Sequence, residues 1–440
     1  MKMPEKVPVI PKGFEYQKFL DSLVSGRFTH FLELNDTKYW YYDKWKFLAK
    51  EWNMDPQYLW AGVKTTRLGQ NSLVISKLPG FTFRISSPSI VQEYLHEFDM
   101  NLGGSLQGDT IIPSEDKDRY LISSLMEEAI ASSQLEGAAT TRKVAKEMLE
   151  SNRRPKNLSE QMILNNYDAM KWIVANKDVP FTTDAIKTIQ SIITRSTLTE
   201  QEKGAFRKTN DINVVDVQTG AALYAPPKSS ELEELMNAFC KFANNEQKTT
   251  FFVHPITRAI IVHFLIGYIH PFVDGNGRTA RTLFYWYLLK KGYWLIEFMS
   301  VSRIILNAKA QYARAYLHTE QDDNDLTYFI IYNLHALHLA LEDLRKYIRR
   351  KSAEKQNAIA LLRNTNFNER QIIIVQELMQ DPTLFFTVPQ VQNKFGVSNQ
   401  TARNDLNDLV AQGIFEERRS GHRIQFIPLK NFMKKLTGKR

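Results

Sequence analysis

The chain has 440 residues, 43% of them hydrophobic and 24% charged. That composition belongs to a folded polypeptide of about two to four domains, not to a disordered or collagen-like one. No run of about 18 apolar residues occurs, which excludes a membrane-spanning helix, and the single cysteine, Cys240, excludes an internal disulfide and a cysteine-cluster zinc site. The 57 Lys+Arg against 48 Asp+Glu leave a net charge of +9, so the question is where the excess cations sit.

The opening Met1-Lys2-Met3-Pro4-Glu5-Lys6 lacks the apolar core of a signal peptide, and a cytoplasmic protein without membrane attachment is expected. Residues 1–114 read as a mixed α/β region. Thr37-Lys38-Tyr39-Trp40-Tyr41-Tyr42 and Ser72-Leu73-Val74-Ile75 look strand-like or buried, and Gly69, Pro79-Gly80 and Gly103-Gly104 punctuate them. The aromatic cluster reads as packing, and no chemistry is assigned to this part. Residues 115–351 are mostly helical. Asp118 to Glu150 carries Leu121, Leu125 and Ile130 at helical spacing, and similar runs follow near 158–176, 229–243, 255–269, 279–291 and 325–350. Ile212 to Tyr224 breaks the series as a short β-hairpin around Thr219-Gly220.

Residues 352–440 form a third unit after a polar hinge. A helix over about 368–380 precedes a second over about 388–395 with Thr387 as N-cap. Gly396 then turns the chain, Ser398 caps a third helix, and Phe415–Glu417 pairs with Arg423–Phe426. This is a helix-turn-helix with a wing. Asn399, Gln400 and Arg403 are the candidate base readers, and Arg418, Arg419 and Arg423 the candidate phosphate contacts. The unit carries 13 Lys+Arg against 8 Asp+Glu, over half of the chain's positive excess. Docking to protein is the alternative to DNA.

The stretch with most chemical content is His270-Pro271-Phe272-Val273-Asp274-Gly275-Asn276-Gly277-Arg278-Thr279-Ala280-Arg281, between two apolar helical runs. Gly275 and Gly277 allow main-chain N–H groups to converge on an anion, and the helix that begins there adds its positive end. Arg278 and Arg281 share a helical face and reach one polyphosphate. Asp274 is a hard oxygen ligand suited to Mg²⁺, and His270 can take a hydroxyl proton near neutral pH. Walker-type and kinase-type motifs are absent. His254, His263 and His270 have no usual metal spacing, and His335 with His338 reads as a structural helix face.

These twelve positions match the Fic family motif HPFx[D/E]GNGRxxR throughout. The segments His254-Pro255-Ile256-Thr257-Arg258-Ala259 with His263, Gly204-Ala205-Phe206-Arg207 and Tyr224-Ala225-Pro226-Pro227 also resemble that family. The resemblance covers roughly residues 115–350. It implies a mainly α fold: an all-helical core with a β-hairpin flap, flanked by the mixed N-terminal region and the C-terminal winged helix. It also implies transfer of AMP from the co-substrate ATP to Ser, Thr or Tyr hydroxyls of protein substrates, with self-modification. His270 would be the base and Asp274 the Mg²⁺ ligand. Gly275, Asn276, Gly277, Arg278, Thr279 and Arg281 would hold the nucleotide, and Val214 and Val215 of the flap would align the target peptide.

Ala131-Ser132-Ser133-Gln134-Leu135-Glu136-Gly137 resembles the family's inhibitory motif [S/T]xxxE[G/N], with Ser132, Glu136 and Gly137 at its fixed positions. The resemblance implies a Glu136–Arg281 pair that obstructs the γ-phosphate site. The plainer reading makes Glu136 one exposed helix carboxylate among several, such as Glu127 and Glu128. A DNA-binding regulator whose core senses nucleotide is the alternative function, and a homodimer stays open.

Overall fold

The computed structural model describes residues 3–23, 26–69, 73–78, 81–103, 117–211, 214–215, 222–244, 252–361, 367–420 and 423–432. Two helices make its centre, α11 (Pro255–Ile269) and α12 (Asn276–Lys290), packed on each other. Isoleucines, Val262, Phe264 and Leu265 bury α11 on nearly every side. A helix apolar all round has to be enclosed by others. Around the pair lie α8 (Leu158–Ala175), α9 (Thr183–Ile193), α10 (Leu232–Ala243) and α15 (Thr327–Leu361). The chain is mainly α.

Four short helices come first: α1 (Tyr16–Ser22), α2 (Arg27–Thr37), α3 (Tyr42–Glu51) and α4 (Pro56–Gly69). They enclose an aromatic core of Phe19, Phe31, Trp45 and Trp60. Residues 37–42, read from sequence as strand-like or buried, run from the end of α2 through a short connection to the start of α3, with Tyr39, Tyr41 and Tyr42 buried and Tyr39 at φ +46°. Of the strand-like run at 72–75, Leu73–Ile75 fall in β1 (Leu73–Leu78), which pairs antiparallel with β2 (Phe81–Ile85), and Ser72 lies outside the described residues. Phe83 and Ile85, with α5 (Ser89–Leu102), join the same core as α11 and α12.

The single helical run expected over 118–150 is two helices, α6 (Lys117–Leu135) and α7 (Arg142–Glu150). Gly137, at φ +94°, takes a left-handed conformation that ends α6. Sequence periodicity did not register the break, because apolar residues at helical spacing resume on α7.

After α12 come α13 (Val301–Asn307) and α14 (Lys309–Gln321). The C-terminal unit has its own core of Ile374, Val375, Leu378, Val391, Leu406 and Leu409. It comprises α16 (Glu369–Gln380), α17 (Val388–Phe395), α18 (Asn399–Ala411) and the pair β5 (Phe415–Ser420) and β6 (Arg423–Pro428). Thr387 forms a capping box with Gln390, Gly396 turns at φ +66°, and Ser398 caps α18, as the sequence indicated. Among the described residues no helix is long and apolar enough to cross a membrane.

The N-terminal helices grip the turn between α14 and α15 through buried polar contacts. Lys64 Nζ meets Asp322 Oδ1 at 2.5 Å, Tyr328 donates to Asp322 Oδ2 at 2.9 Å, and Tyr39 donates to Asp325 Oδ2 at 2.7 Å. The Asp322 side chain is fully buried and that of Lys64 only 7% exposed. Lys64→Met leaves the Asp322 carboxylate without its cation, and urea unfolding should show a loss of about 3–5 kcal/mol.

Candidate active site

The site forms where α11 stops. His254 caps its start, with Nδ1 accepting from the Ile256 amide at 3.3 Å and Pro255 in the first turn. His270 ends it in a left-handed conformation, φ +50° and ψ 57°. The His270 Nδ1–H donates to the Gly267 carbonyl at 3.3 Å, which leaves Nε2 as the proton acceptor. Burial lowers the His270 pKa against opposing contributions from the Gly267 carbonyl and Glu136. The ring is therefore neutral at neutral pH and fit to act as a base.

Pro271 to Gly275 then reverse the chain into α12. Gly275 turns at φ +83°, and a Cβ there would lie 3.0 Å from Thr194 Cγ2. Asn276 accepts from the Phe272 amide at 3.0 Å and donates to the Phe272 carbonyl at 2.8 Å, so its side chain braces the loop from within. Arg278 is fully buried, bonded to Asp274 Oδ2 at 3.0 Å and to the Ile193 carbonyl at 3.2 Å. Thr279 points inward, and its buried hydroxyl has no hydrogen-bond partner among the described residues. Asp274 is exposed. Of the expected nucleotide residues, Gly277 and Arg281 face an open cavity, while Asn276, Arg278 and Thr279 form the wall behind it.

Glu136 enters that cavity from the end of α6. Its Oε1 lies 2.7 Å from Arg281 Nη2, and the same arginine donates to Ser132 Oγ at 2.9 Å and to the Ser132 carbonyl at 3.0 Å. A Cβ on Gly277 would stand 2.1 Å from Glu136 Oε1. The carboxylate thus rests against the first turn of α12, where a helix favours an anion. Burial would raise the Glu136 pKa, but the charge and hydrogen bond of Arg281, with Arg278 behind, outweigh it and hold the group below the usual carboxylate range. The pair is present at neutral pH and is lost only as acid takes the pH down through that lowered value.

Glu128 corrects the sequence reading. It is not an exposed helix carboxylate but 1% exposed. It accepts from Tyr285 Oη at 2.8 Å and from the Ser302 amide at 3.0 Å, which fastens α6 to the core below Glu136. Glu127 instead pairs with Arg142 on α7. Sequence offered no signal for this difference, since both residues lie on one helix.

Two further residues went unremarked. Gln190 on α9 donates to the Asp274 carbonyl at 3.1 Å and accepts from the Gly204 amide at 2.6 Å. Arg207, within the segment noted for its resemblance, donates to the carbonyls of His270 at 2.9 Å, Thr209 at 2.9 Å and Pro227. Both tie the base of the flap to the loop. The flap strands β3 (Val214–Val215) and β4 (Ala222–Tyr224) pair antiparallel, Val214 with Tyr224 and Val215 with Ala222. Thr219-Gly220 of the expected turn lie outside the described residues.

A cavity of about 220 Å³ runs from Arg281 and Gly277 past His270 to Tyr224, Tyr312 and Tyr316. Of the other candidate histidines, His263 bonds Tyr312 of the cavity wall at 2.9 Å, while His335 engages Tyr94 at 3.0 Å and His338 engages Glu97 at 2.7 Å, away from it. Removing the Arg207 guanidinium leaves three carbonyls without a donor, at about 1–3 kcal/mol for each one buried. Arg207→Ala should accordingly lower stability in urea and open the 209–227 segment to limited proteolysis.

On the C-terminal unit, Asn399, Gln400 and Arg403 are exposed along α18, and Arg418 and Arg419 are exposed on β5, while Arg423 is described only as the first residue of β6. α17 packs against α6 and α7, and Asn393 donates to the Glu150 carbonyl at 2.5 Å. Asn399 and Arg403 overlook a groove whose far side carries Glu147 and Arg153.

Residues 180–288 match the Fic/DOC family, and residues 370–424 match the DeoR-like helix-turn-helix domain. A protein from Drosophila grimshawi named protein adenylyltransferase Fic is 38% identical over 92 residues, which are 21% of this chain and 17% of that protein. Its namesake from Culex quinquefasciatus is 39% identical over 92 residues, 21% of this chain and 16% of the relative. The match therefore spans about a sixth of these relatives' length. A Fic family protein from Desulfovibrio desulfuricans is 18% identical, with a TM-score of 0.48, over 78% of this chain and 97% of that one. A Fic domain protein from Bacteroides thetaiotaomicron is 21% identical, with a TM-score of 0.47, over 58% and 97%. The similarity therefore falls on two separate segments, residues 180–288 to the Fic/DOC family and residues 370–424 to the DeoR-like helix-turn-helix domain.

Proposed function

We propose that the protein is an autoinhibited protein adenylyltransferase, which moves AMP from ATP to Ser, Thr or Tyr hydroxyls of target proteins and of itself. The observation that carries this reading is the neutral His270, its Nε2 available, beside an arginine and a helix start that an internal carboxylate already occupies. A nucleotide sensor alone has no use for such a base. Three domains divide the work: 1–114 as support, 115–351 for transfer, and 352–440 for a further partner. The setting is cytoplasmic.

With Glu136 withdrawn, Arg281 and the first amides of α12 receive the terminal phosphates. His270 Nε2 takes the proton of the target hydroxyl, whose oxygen forms a bond to the α-phosphorus. The bond from that phosphorus to its bridging oxygen breaks, and pyrophosphate leaves with the electron pair. Positioning and charge stabilisation do most of this chemistry. The flap edge at Val214 and Val215 presents the target backbone by strand addition.

The residues fit a magnesium ion. Asp274 is exposed and engages Arg278 through Oδ2, which leaves Oδ1 for a hard cation. No group of three or more His, Cys, Asp or Glu converges among the described residues, so phosphates and water would complete the shell. Such an ion would neutralise charge on the phosphates.

Glu136→Gly should raise self-labelling from radiolabelled ATP by on the order of tenfold, the equivalent of about 1.4 kcal/mol of lost competition. Adding His270→Ala should reduce it by about 10²–10⁴-fold. The acid limb of the Glu136→Gly rate profile should lie below the ordinary histidine value of 6.5. Removing Glu136, which favours the protonated ring, moves that limb further to acid. Unchanged labelling in Glu136→Gly would remove the inhibitory assignment.

A second reading, a DNA-binding regulator whose core senses nucleotide, is favoured by the helix-turn-helix match and by the exposed Asn399, Gln400, Arg403, Arg418 and Arg419. Electrophoretic shifts at several salt concentrations test it. DNA binding through phosphate contacts should weaken steeply with salt, and a salt-independent shift or none at all counts against it.

A further inference from the structure

The cavity beside Arg281 ends on α14 and the flap, among Tyr224, Tyr316 and Leu317. Those groups give it an aromatic, apolar character suited to a flat ring. Tyr316 lies flush with α11, since a Cβ on Gly267 would come within 2.5 Å of its hydroxyl. One carboxyl interrupts this lining, Glu320 on the last turn of α14. It has no hydrogen bond or ion pair among the described residues, unlike Glu128 and Glu136.

We propose that Glu320 is the base-reading residue of this cavity, favouring adenine when its carboxyl is protonated and guanine when it is ionised. The inference rests on the nucleotide reading of the Arg281 end. A neutral carboxyl has one donor and one acceptor, and adenine offers an N6 amine beside a ring-nitrogen acceptor. A carboxylate only accepts, and guanine offers N1–H beside its N2 amine. An unpaired buried group against the wrong base is what discriminates.

Burial alone raises the Glu320 pKa to about 7, which puts the change within working pH. The groups around it do not titrate there. Tyr268 on α11 is pushed up to about 12, and Tyr224 on the flap and Tyr316 on α14 lie higher still. His270 on α11 is lowered, Arg207 behind Tyr224 stays charged, and across the cavity Glu136 is held ionised by Arg281. Phosphate titration is common to ATP and GTP, so it cancels in their ratio.

The test is equilibrium dialysis of the non-hydrolysable analogues of ATP and GTP against the full-length Glu136→Gly protein, at about pH 6 and about pH 8.5. The preference for the ATP analogue should fall by about tenfold or more between the two. Glu320→Gln, a permanent donor and acceptor, should keep the preference at both. A ratio that does not move with pH, or that moves equally in Glu320→Gln, overturns the proposal while leaving nucleotide binding intact. Failure of both analogues to bind overturns the nucleotide reading and this proposal with it.

Discussion

The contact between Arg281 and Glu136 organises the site. An arginine 4% exposed in its side chain needs anionic company, and it has the Glu136 carboxylate together with two oxygens of Ser132. The same carboxylate lies against Gly277, at the positive start of α12. One acidic group therefore occupies two features that favour an anion. Glu136 keeps 32% of its side chain exposed, so the carboxylate itself is not fully desolvated, and its withdrawal would leave Arg281 to the Ser132 oxygens or to another anion. A fully buried partner would be much harder to displace. The ion pair is strong enough to fill the site and exposed enough to yield it.

That placement depends on how α6 ends and on what holds it. Gly137 at φ +94° stops the helix just past Leu135, which releases Glu136 toward α12 in place of continuing around the helix. Glu128, two turns earlier, binds Tyr285 of α12 and Ser302 of α13. α17 of the C-terminal unit leans on both α6 and α7. The position of the helix-turn-helix domain and that of the Glu136 carboxylate are therefore parts of one packed surface.

The His270 side of the site depends on backbone as much as on side chains. The left-handed His270 and Gly275 bracket a loop that Asn276 closes on itself, while Gln190 and Arg207 attach the flap to it. At the far end of the cavity, α14 is anchored through the turn that Lys64 and Tyr39 grip from the N-terminal helices. The N-terminal bundle thereby supports the wall of the cavity without lining it.

Much of this was legible in the sequence, because the motif from His270 to Arg281 is local: its glycines, arginines and acid are close along the chain and need only a loop and a helix to meet. The capping of α17 and α18 was legible for the same reason, since Thr387, Gly396 and Ser398 act on their immediate neighbours. Resemblance to the inhibitory motif, and no local pattern, nominated Glu136 as the partner of Arg281, 145 positions away. Only tertiary structure could decide that Glu128 is buried and Glu127 is not, that Arg278 and Thr279 stand behind the cavity, or that Gln190 and Arg207 hold the flap. These roles depend on which neighbours a side chain meets and how much water remains beside it. Burial and long-range contact have no signature in local periodicity, and here they set which charges can reach a ligand.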